Sequence, residues 1–227
     1  MRYINYQHTS DYLENIIEDR DFLELRSYAL KNDVPIMNVE SKEFIKSILA
    51  IQRPKTILEI GTAIGYSSLV FYKYTKAHIT TIELDEPTSK IAQNNFDKYN
   101  APINLINDDA MKALNTISQG FDFVFIDANK AHYEDYFKIC ANLLNDGGII
   151  ISDNVLFKGM VLNDDLVNKR MITIVKRLRN YLAYVSDRKD FKTSVIPIGD
   201  GLTISVKENK WLEKKWNYLP PQVIWRG

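Results

Sequence analysis

Hydrophobic residues change their spacing after residue 52. Before it, segments 11–19 and 21–32 mix apolar and charged residues at helical spacing. Pro35 interrupts, and 41–51 reads as a third helix with Phe44, Ile45, Ile48 and Leu49 inward. Ser41, with Glu43 and Phe44 after it, predicts where that helix starts. Beyond residue 52 short apolar runs take over. Segments 56–60, 78–83, 103–106 and 121–126 read as strands. Between them 66–74, 87–99 and a short stretch from Ala110 read as helices. Pro87 falls in a first turn, where its missing N–H costs little. The run 121–126 is nearly all apolar, as expected for a strand covered on both faces. A helix over 132–144, a turn at Asp146-Gly147-Gly148 and a strand over 148–152 complete the alternation.

The C-terminal third differs. Segment 168–184 predicts a long helix, and strands 192–197 and 202–206 flank Gly199-Asp200-Gly201, a hairpin signal. The expected architecture is α/β: a seven-stranded, mostly parallel sheet with an antiparallel C-terminal strand and helices on both faces. It divides into a helical cap (1–52), a core (53–206) and an extension (207–227). The extension carries three Trp residues and Pro220-Pro221, and is expected to pack across the domain or on a partner subunit.

Composition narrows the function classes. A length of 227 residues with 45% hydrophobic content suits one domain. Lys+Arg and Asp+Glu are both 29, which argues against a wholly basic nucleic-acid binder but leaves a local basic patch open. Cys140 is the only cysteine, so an intramolecular disulfide is excluded; it is expected in the core. The first residues, MRYINYQHTSDYLENII, have no apolar signal core, and no stretch approaches the roughly 18 apolar residues of a membrane helix. The expectation is a cytoplasmic protein with no membrane partner.

ILEIGTAIGYSS is a strand that breaks into a glycine-bearing turn and starts a helix. A dinucleotide loop wants G-x-G-x-x-G to cradle a pyrophosphate. Here Gly61 is followed by Gly65 and position 63 is Ala, so the tight phosphate cradle is missing. A ligand with an adenosine and no phosphate fits better, and S-adenosylmethionine is of that kind. Glu83 ends the next strand 22 residues past Gly61, where an acid accepts from ribose hydroxyls. Asp109-Ala110, after the third strand, sits where an adenine edge is read. Alone, the turn is also compatible with an ordinary strand–turn–helix.

Asp127 and Asp153-Asn154 follow the fourth and fifth strands. Two carboxylates and an amide oxygen suit a hard divalent cation such as Mg²⁺. With three His and one Cys in the chain, no zinc-type set accompanies them. Such a cation favours the ionised form of an acceptor hydroxyl. Lys130, three residues past Asp127, is placed to take or stabilise the departing proton. Individually these residues also read as strand-end caps and a solvated lysine. His132 reads as a surface residue at a helix start.

The motifs ILEIGTAIGYSS, TTIELDE, NDDA, FVFIDANK, IIISDNV and PIGDGLTIS, in that order over roughly residues 35–206, resemble the cation-dependent class I O-methyltransferases. These are the catechol and caffeoyl-CoA methyltransferases. The resemblance implies a Rossmann-like class I methyltransferase fold and a homodimer. It implies metal ligation by Asp127, Asp153 and Asn154, with Lys130 as the catalytic lysine. It implies cofactor contacts at Met37, Val39, Glu59, Gly61, Tyr66, Ser67, Glu83, Asp109, Ala110 and Asp127. One departure is Ser41-Lys42, where many members carry a glycine before the helix. VPIM, DNVLFKGMV and KTSVIPIGDGLTIS are similar to the branch that methylates 5-hydroxyuridine at the tRNA wobble position, which implies the tRNA anticodon loop as partner.

NKRMITIVKRLRNYL, from Asn168, bears on that implication. Met171, Ile174, Val175, Leu178 and Leu182 cluster on one side of a helical wheel; the basic residues spread over the other with no intervening acid. Lys169, Arg170, Lys176, Arg177 and Arg179 form a face that can hold phosphates, or one that is simply solvated. Lys158, in the loop after Asn154, is better placed to meet a substrate phosphate. Three readings follow: a tRNA 5-hydroxyuridine methyltransferase, a methyltransferase of small catechol-like substrates, and a non-catalytic cofactor- or RNA-binding protein.

Overall fold

The computed structural model describes residues 20–208, together with 12 and 15–17. The expected first helix therefore lies mostly outside the described residues, and so do residues 209–227 of the expected extension. The described chain begins with α1 (Leu23–Lys31) and α2 (Val39–Gln52), then alternates β1 (Thr56–Ile60), α3 (Tyr66–Thr75), β2 (His78–Glu83), α4 (Glu86–Lys98), β3 (Asn104–Asn107), α5 (Ala110–Thr116), β4 (Phe121–Ile126), α6 (Tyr133–Leu143) and β5 (Leu144–Ser152). After it come α7 (Ile172–Asp187), β6 (Phe191–Ile196) and β7 (Leu202–Lys207).

The seven strands form one sheet in the order β3-β2-β1-β4-β5-β7-β6. β1 to β5 pair in parallel, and β7 runs antiparallel to both β5 and β6. Side chains alternate across a strand, so each strand feeds two cores. Ile57, Phe123, Phe125, Ile149 and Ile151 pack with Leu49 of α2, Phe71 of α3 and Phe96 of α4. Leu58, Ile60, Val124, Ile126 and Ile150 pack with Leu114 of α5, Phe137 and Cys140 of α6 and Leu178 of α7. Covering both faces explains why these strands read as continuous apolar runs. Among the described residues no helix is long and apolar enough to cross a membrane.

Three element starts differ from the sequence reading for a clear local reason. α2 starts two residues early because Asn38, not Ser41, is the cap: its side chain accepts the Ser41 N–H at 2.7 Å. β5 starts at Leu144, with the expected Asp146-Gly147-Gly148 turn absorbed as an irregularity in its pairing with β4. α7 starts at Ile172 because Asn168 first forms a turn, its side chain accepting the Arg170 N–H at 3.1 Å. Lys169 and Arg170 therefore precede the helix instead of lying on its face.

The departure at Lys42 also has an explanation. Lys42 is fully buried, with Nζ 3.4 Å from Asp21 and 3.3 Å from Glu43. Asp21 also accepts from Lys73 Nζ at 2.6 Å, Tyr74 OH at 3.0 Å and Lys46 Nζ at 3.2 Å. This ionic cluster fastens the segment before α1 onto α2 and α3.

Candidate active site

The carboxyl ends of β1, β2, β4 and β5 open into one cavity of about 480 Å³, within the usual range for small-ligand sites. Its floor is the turn after β1. Gly61 has φ 97°, and a Cβ there would stand 2.0 Å from the Asp127 carbonyl oxygen. Only glycine lets the two strand ends come this close. Gly65, with φ 84°, caps α3; a Cβ there would meet the Phe96 ring at 2.5 Å. Glu83 ties the turn to β2. Its Oε2 accepts the Ala63 N–H at 2.8 Å and its Oε1 the Asp85 N–H at 2.9 Å. Each oxygen keeps a lone pair for a ligand hydroxyl. Asp109 caps α5 by accepting the Lys112 N–H at 3.2 Å. The segment Pro35, Ile36, Met37 and Asn38 closes the side nearest α2.

The acidic residues meet at the other end of the cavity. The Asp127 N–H donates to the Ile60 carbonyl at 2.9 Å and the Asp153 N–H to the Ile126 carbonyl at 3.0 Å, so the sheet ladder sets both side by side. Lys130 Nζ lies 3.7 Å from Asp127 Oδ1. Asp153 is 1% exposed; its carbonyl accepts the Tyr133 hydroxyl at 2.9 Å and its Oδ1 the Asn154 N–H at 2.6 Å. Burial, then the neighbouring Asp127 charge, pushes the Asp153 carboxyl well above the usual carboxylate range. Burial also raises Asp127, against the pull of Lys130.

A family model described as O-methyltransferase matches residues 7–208. The chain belongs to this O-methyltransferase family. Among curated relatives, a caffeoyl-CoA O-methyltransferase from Populus kitakamiensis is 29% identical over 177 residues, 73% of this chain and 75% of that protein. A catechol O-methyltransferase from Niastella koreensis is 26% identical over 172 residues, 70% of this chain and 78% of that protein. Among solved structures, one from Staphylococcus aureus, inferred to be a caffeoyl-CoA O-methyltransferase, superposes with a TM-score of 0.83 at 33% identity, covering 88% of this chain and all of that one. A Bacillus cereus O-methyltransferase in complex with SAH superposes with a TM-score of 0.75 at 25% identity, covering 88% and 97%.

In this O-methyltransferase the cavity brings together Met37, Gly61, Tyr66, Ser67, Glu83, Asp109, Ala110, Asp127, Lys130, Asp153 and Asn154. Two residues expected to contact the cofactor are not in its lining. Val39 is buried in the first turn of α2. Glu59 is fully buried beneath the glycine turn, where it accepts from the hydroxyls of Ser67 and Ser68 and from Thr81 Oγ1 at 2.7 Å. It braces the turn from below, because strand alternation puts it on the sheet face that the first turn of α3 covers. Burial, only partly offset by those hydroxyls, pushes its carboxyl up to about 7.

The basic residues divide as well. Lys158 and Lys176 are exposed. Lys169 and Arg170 line a separate surface depression with Asn168 and Met171. Arg177 Nη1 instead donates to the Ala131 carbonyl at 2.8 Å, next to Lys130. His132 lines the cavity and faces Asp135 at 3.4 Å. Cys140 is buried and free, as expected. Sequence reasoning missed Asn38 and Tyr136 in the lining, Tyr133 behind Asp153, and Asp200 on the hairpin. Asp200 stands between two glycines in a quoted motif, and that was its only signal.

Among the described residues no group of three or more His, Cys, Asp or Glu side chains is placed to hold a metal ion. The candidate ligands are two carboxylates and the Asn154 amide. They fit a hard oxygen-seeking cation in one respect. Asp127 and the buried Asp153 stand together with Lys130 as the cation that lowers both, and burial disfavours their charged forms, so a bound cation would be what lets both carboxylates ionise.

Proposed function

We propose that this chain is an S-adenosylmethionine-dependent, Mg²⁺-assisted O-methyltransferase acting on 5-hydroxyuridine at the tRNA wobble position. The observation that carries the reading is the shared cavity: the glycine turn, Glu83 and Asp109 line it together with Asp127, Lys130, Asp153 and Asn154. The turn lacks a pyrophosphate cradle, which suits a donor with an adenosine and no phosphate. Glu83 would accept from the ribose hydroxyls.

Asp127, Asp153 and Asn154 would hold the cation, which when bound lowers the acceptor hydroxyl's pKa. Lys130 would hold or take the acceptor proton. S-adenosylmethionine, when bound, would supply the methyl group from its sulfonium to the acceptor oxygen and leave as S-adenosylhomocysteine. Most of the rate enhancement is positioning and electrostatics. The vicinal hydroxyl and oxo groups of 5-hydroxyuridine suit two-point binding, and exposed Lys158 and Lys176 supply positive charge for an RNA backbone. A second reading, small catechol-like acceptors, is favoured by the curated relatives.

Deleting the gene and measuring tRNA nucleosides by mass spectrometry tests the substrate. Accumulated 5-hydroxyuridine with lost 5-methoxyuridine is expected; unchanged nucleosides would refute it. Transfer to every hydroxylated acceptor that survived chelation would refute the role of the cation.

A further inference from the structure

Asp153 and Asn154 lead into a stretch, 155–158, that no long helix or strand supports. Asn154, Phe157 and Lys158 all take left-handed conformations, with φ of 55°, 47° and 55°. Non-glycine residues persist there only where surrounding contacts over-determine them. Here those contacts come from the hairpin between β6 and β7. The Val155 N–H donates to the Gly201 carbonyl at 2.9 Å and the Leu156 N–H to the Asp200 carbonyl at 3.0 Å. The Asp200 carboxylate accepts the Lys158 N–H.

The hairpin tip is itself wedged in place. A Cβ on Gly199 would stand 2.1 Å from Asn38 Nδ2, and one on Gly201 would stand 2.3 Å from Leu156 Cγ. Asn38 caps α2 and lines the cavity. The tip thus touches both the wall of the proposed donor site and the loop leaving the acidic pair. Its one charged side chain, Asp200, lies close enough for Asp153 to feel its charge, and it feels that of Lys130.

We infer that Asp200 is a positioning residue for the acceptor end of the cavity, its carboxylate setting the path of the loop after Asp153-Asn154 through the Lys158 N–H group. Asp200 acts through that backbone and not as a ligand. The inference rests on the reading of Asp127, Asp153 and Asn154 as cation ligands. Outer groups that orient such ligands typically matter about 10- to 100-fold in metal affinity.

The test titrates Mn²⁺ into the purified full chain by electron paramagnetic resonance, with calorimetric S-adenosylmethionine binding and thermal melting alongside. Asp200→Ala removes the side-chain acceptor and is expected to weaken Mn²⁺ binding about 10-fold or more, with donor affinity unchanged. Asp200→Asn keeps an oxygen for Lys158 N–H and is expected to stay near wild type. Equal losses in both variants would assign the effect to charge and overturn the inference, as would an unaffected Asp200→Ala. If Asp200→Ala fails to fold, Asp200→Asn decides alone, and a tenfold loss in it overturns the inference. A wild-type chain that binds no Mn²⁺ overturns the ligand reading itself, which separates the two failures.

Discussion

Gly61 lies directly against Asp127: a Cβ on the glycine would sit 2.0 Å from the Asp127 carbonyl oxygen. The turn proposed for the donor and the first acid of the proposed cation set therefore share one backbone contact. Gly61→Ala meets both that clash and a φ of 97°. The conformation alone costs about 1–3 kcal/mol, and the clash adds to it. Calorimetry is expected to show lost S-adenosylmethionine binding, with a lowered melting temperature. Wild-type affinity in this variant would mean that the turn is not the donor site.

Glu59 makes stability depend on pH. Its folded-state carboxyl is pushed up to about 7, from an ordinary value of 4.5. The folded state then holds a proton that the unfolded chain releases between those values. Its contribution is complete below about pH 4.5 and is lost as pH rises through 7, a change of roughly 3 kcal/mol. The metal-free melting temperature should fall across this window in wild type and fall less in Glu59→Gln. Parallel profiles for the two proteins would contradict it.

Asp21 acts in the opposite sense. Burial by itself would raise its carboxyl, but hydrogen bonds from Lys73, Tyr74 and Lys46 hold it well below its usual 3.8. Its stabilisation is present above that value and is lost as pH falls further. Asp21→Asn removes the buried negative charge that faces Lys42, Lys46 and Lys73, at a cost of about 3 kcal/mol, or roughly 6–12 °C in melting temperature at neutral pH. Scanning calorimetry from pH 7 downward should show the gap to wild type narrowing in acid.

Arg177 and Lys176 are neighbours in sequence with different expected effects. Lys176 is exposed, and charge reversal to Glu should raise KM for a tRNA acceptor while sparing a catechol. Arg177 reaches the Ala131 carbonyl at 2.8 Å beside Lys130. Arg177→Ala should slow transfer to both acceptors, through kcat, by about tenfold or less, the scale of one ordinary net hydrogen bond at an exposed site. Steady-state kinetics on the two substrates separates these outcomes. Identical behaviour of the two variants would remove the distinction.

The strands and the residues at their ends were legible from the chain alone, because the signals are local. Buried parallel strands are continuous apolar runs, and the residue that ends each run must lie at a carboxyl end. That places Gly61, Glu83, Asp109, Asp127 and Asp153 on one edge of the sheet, and the cavity contains all five. Only the tertiary structure decided which way a side chain turns and what it meets. Glu59 has the motif position of a ligand contact, yet three hydroxyls claim it from below. Arg177 looked like one more base on a helix face, until packing put a carbonyl within its reach. Asp200 supports a loop more than forty residues before it in the chain. Periodicity fixes where a residue sits on its own element; its partner is set by how distant elements pack, which no local pattern encodes.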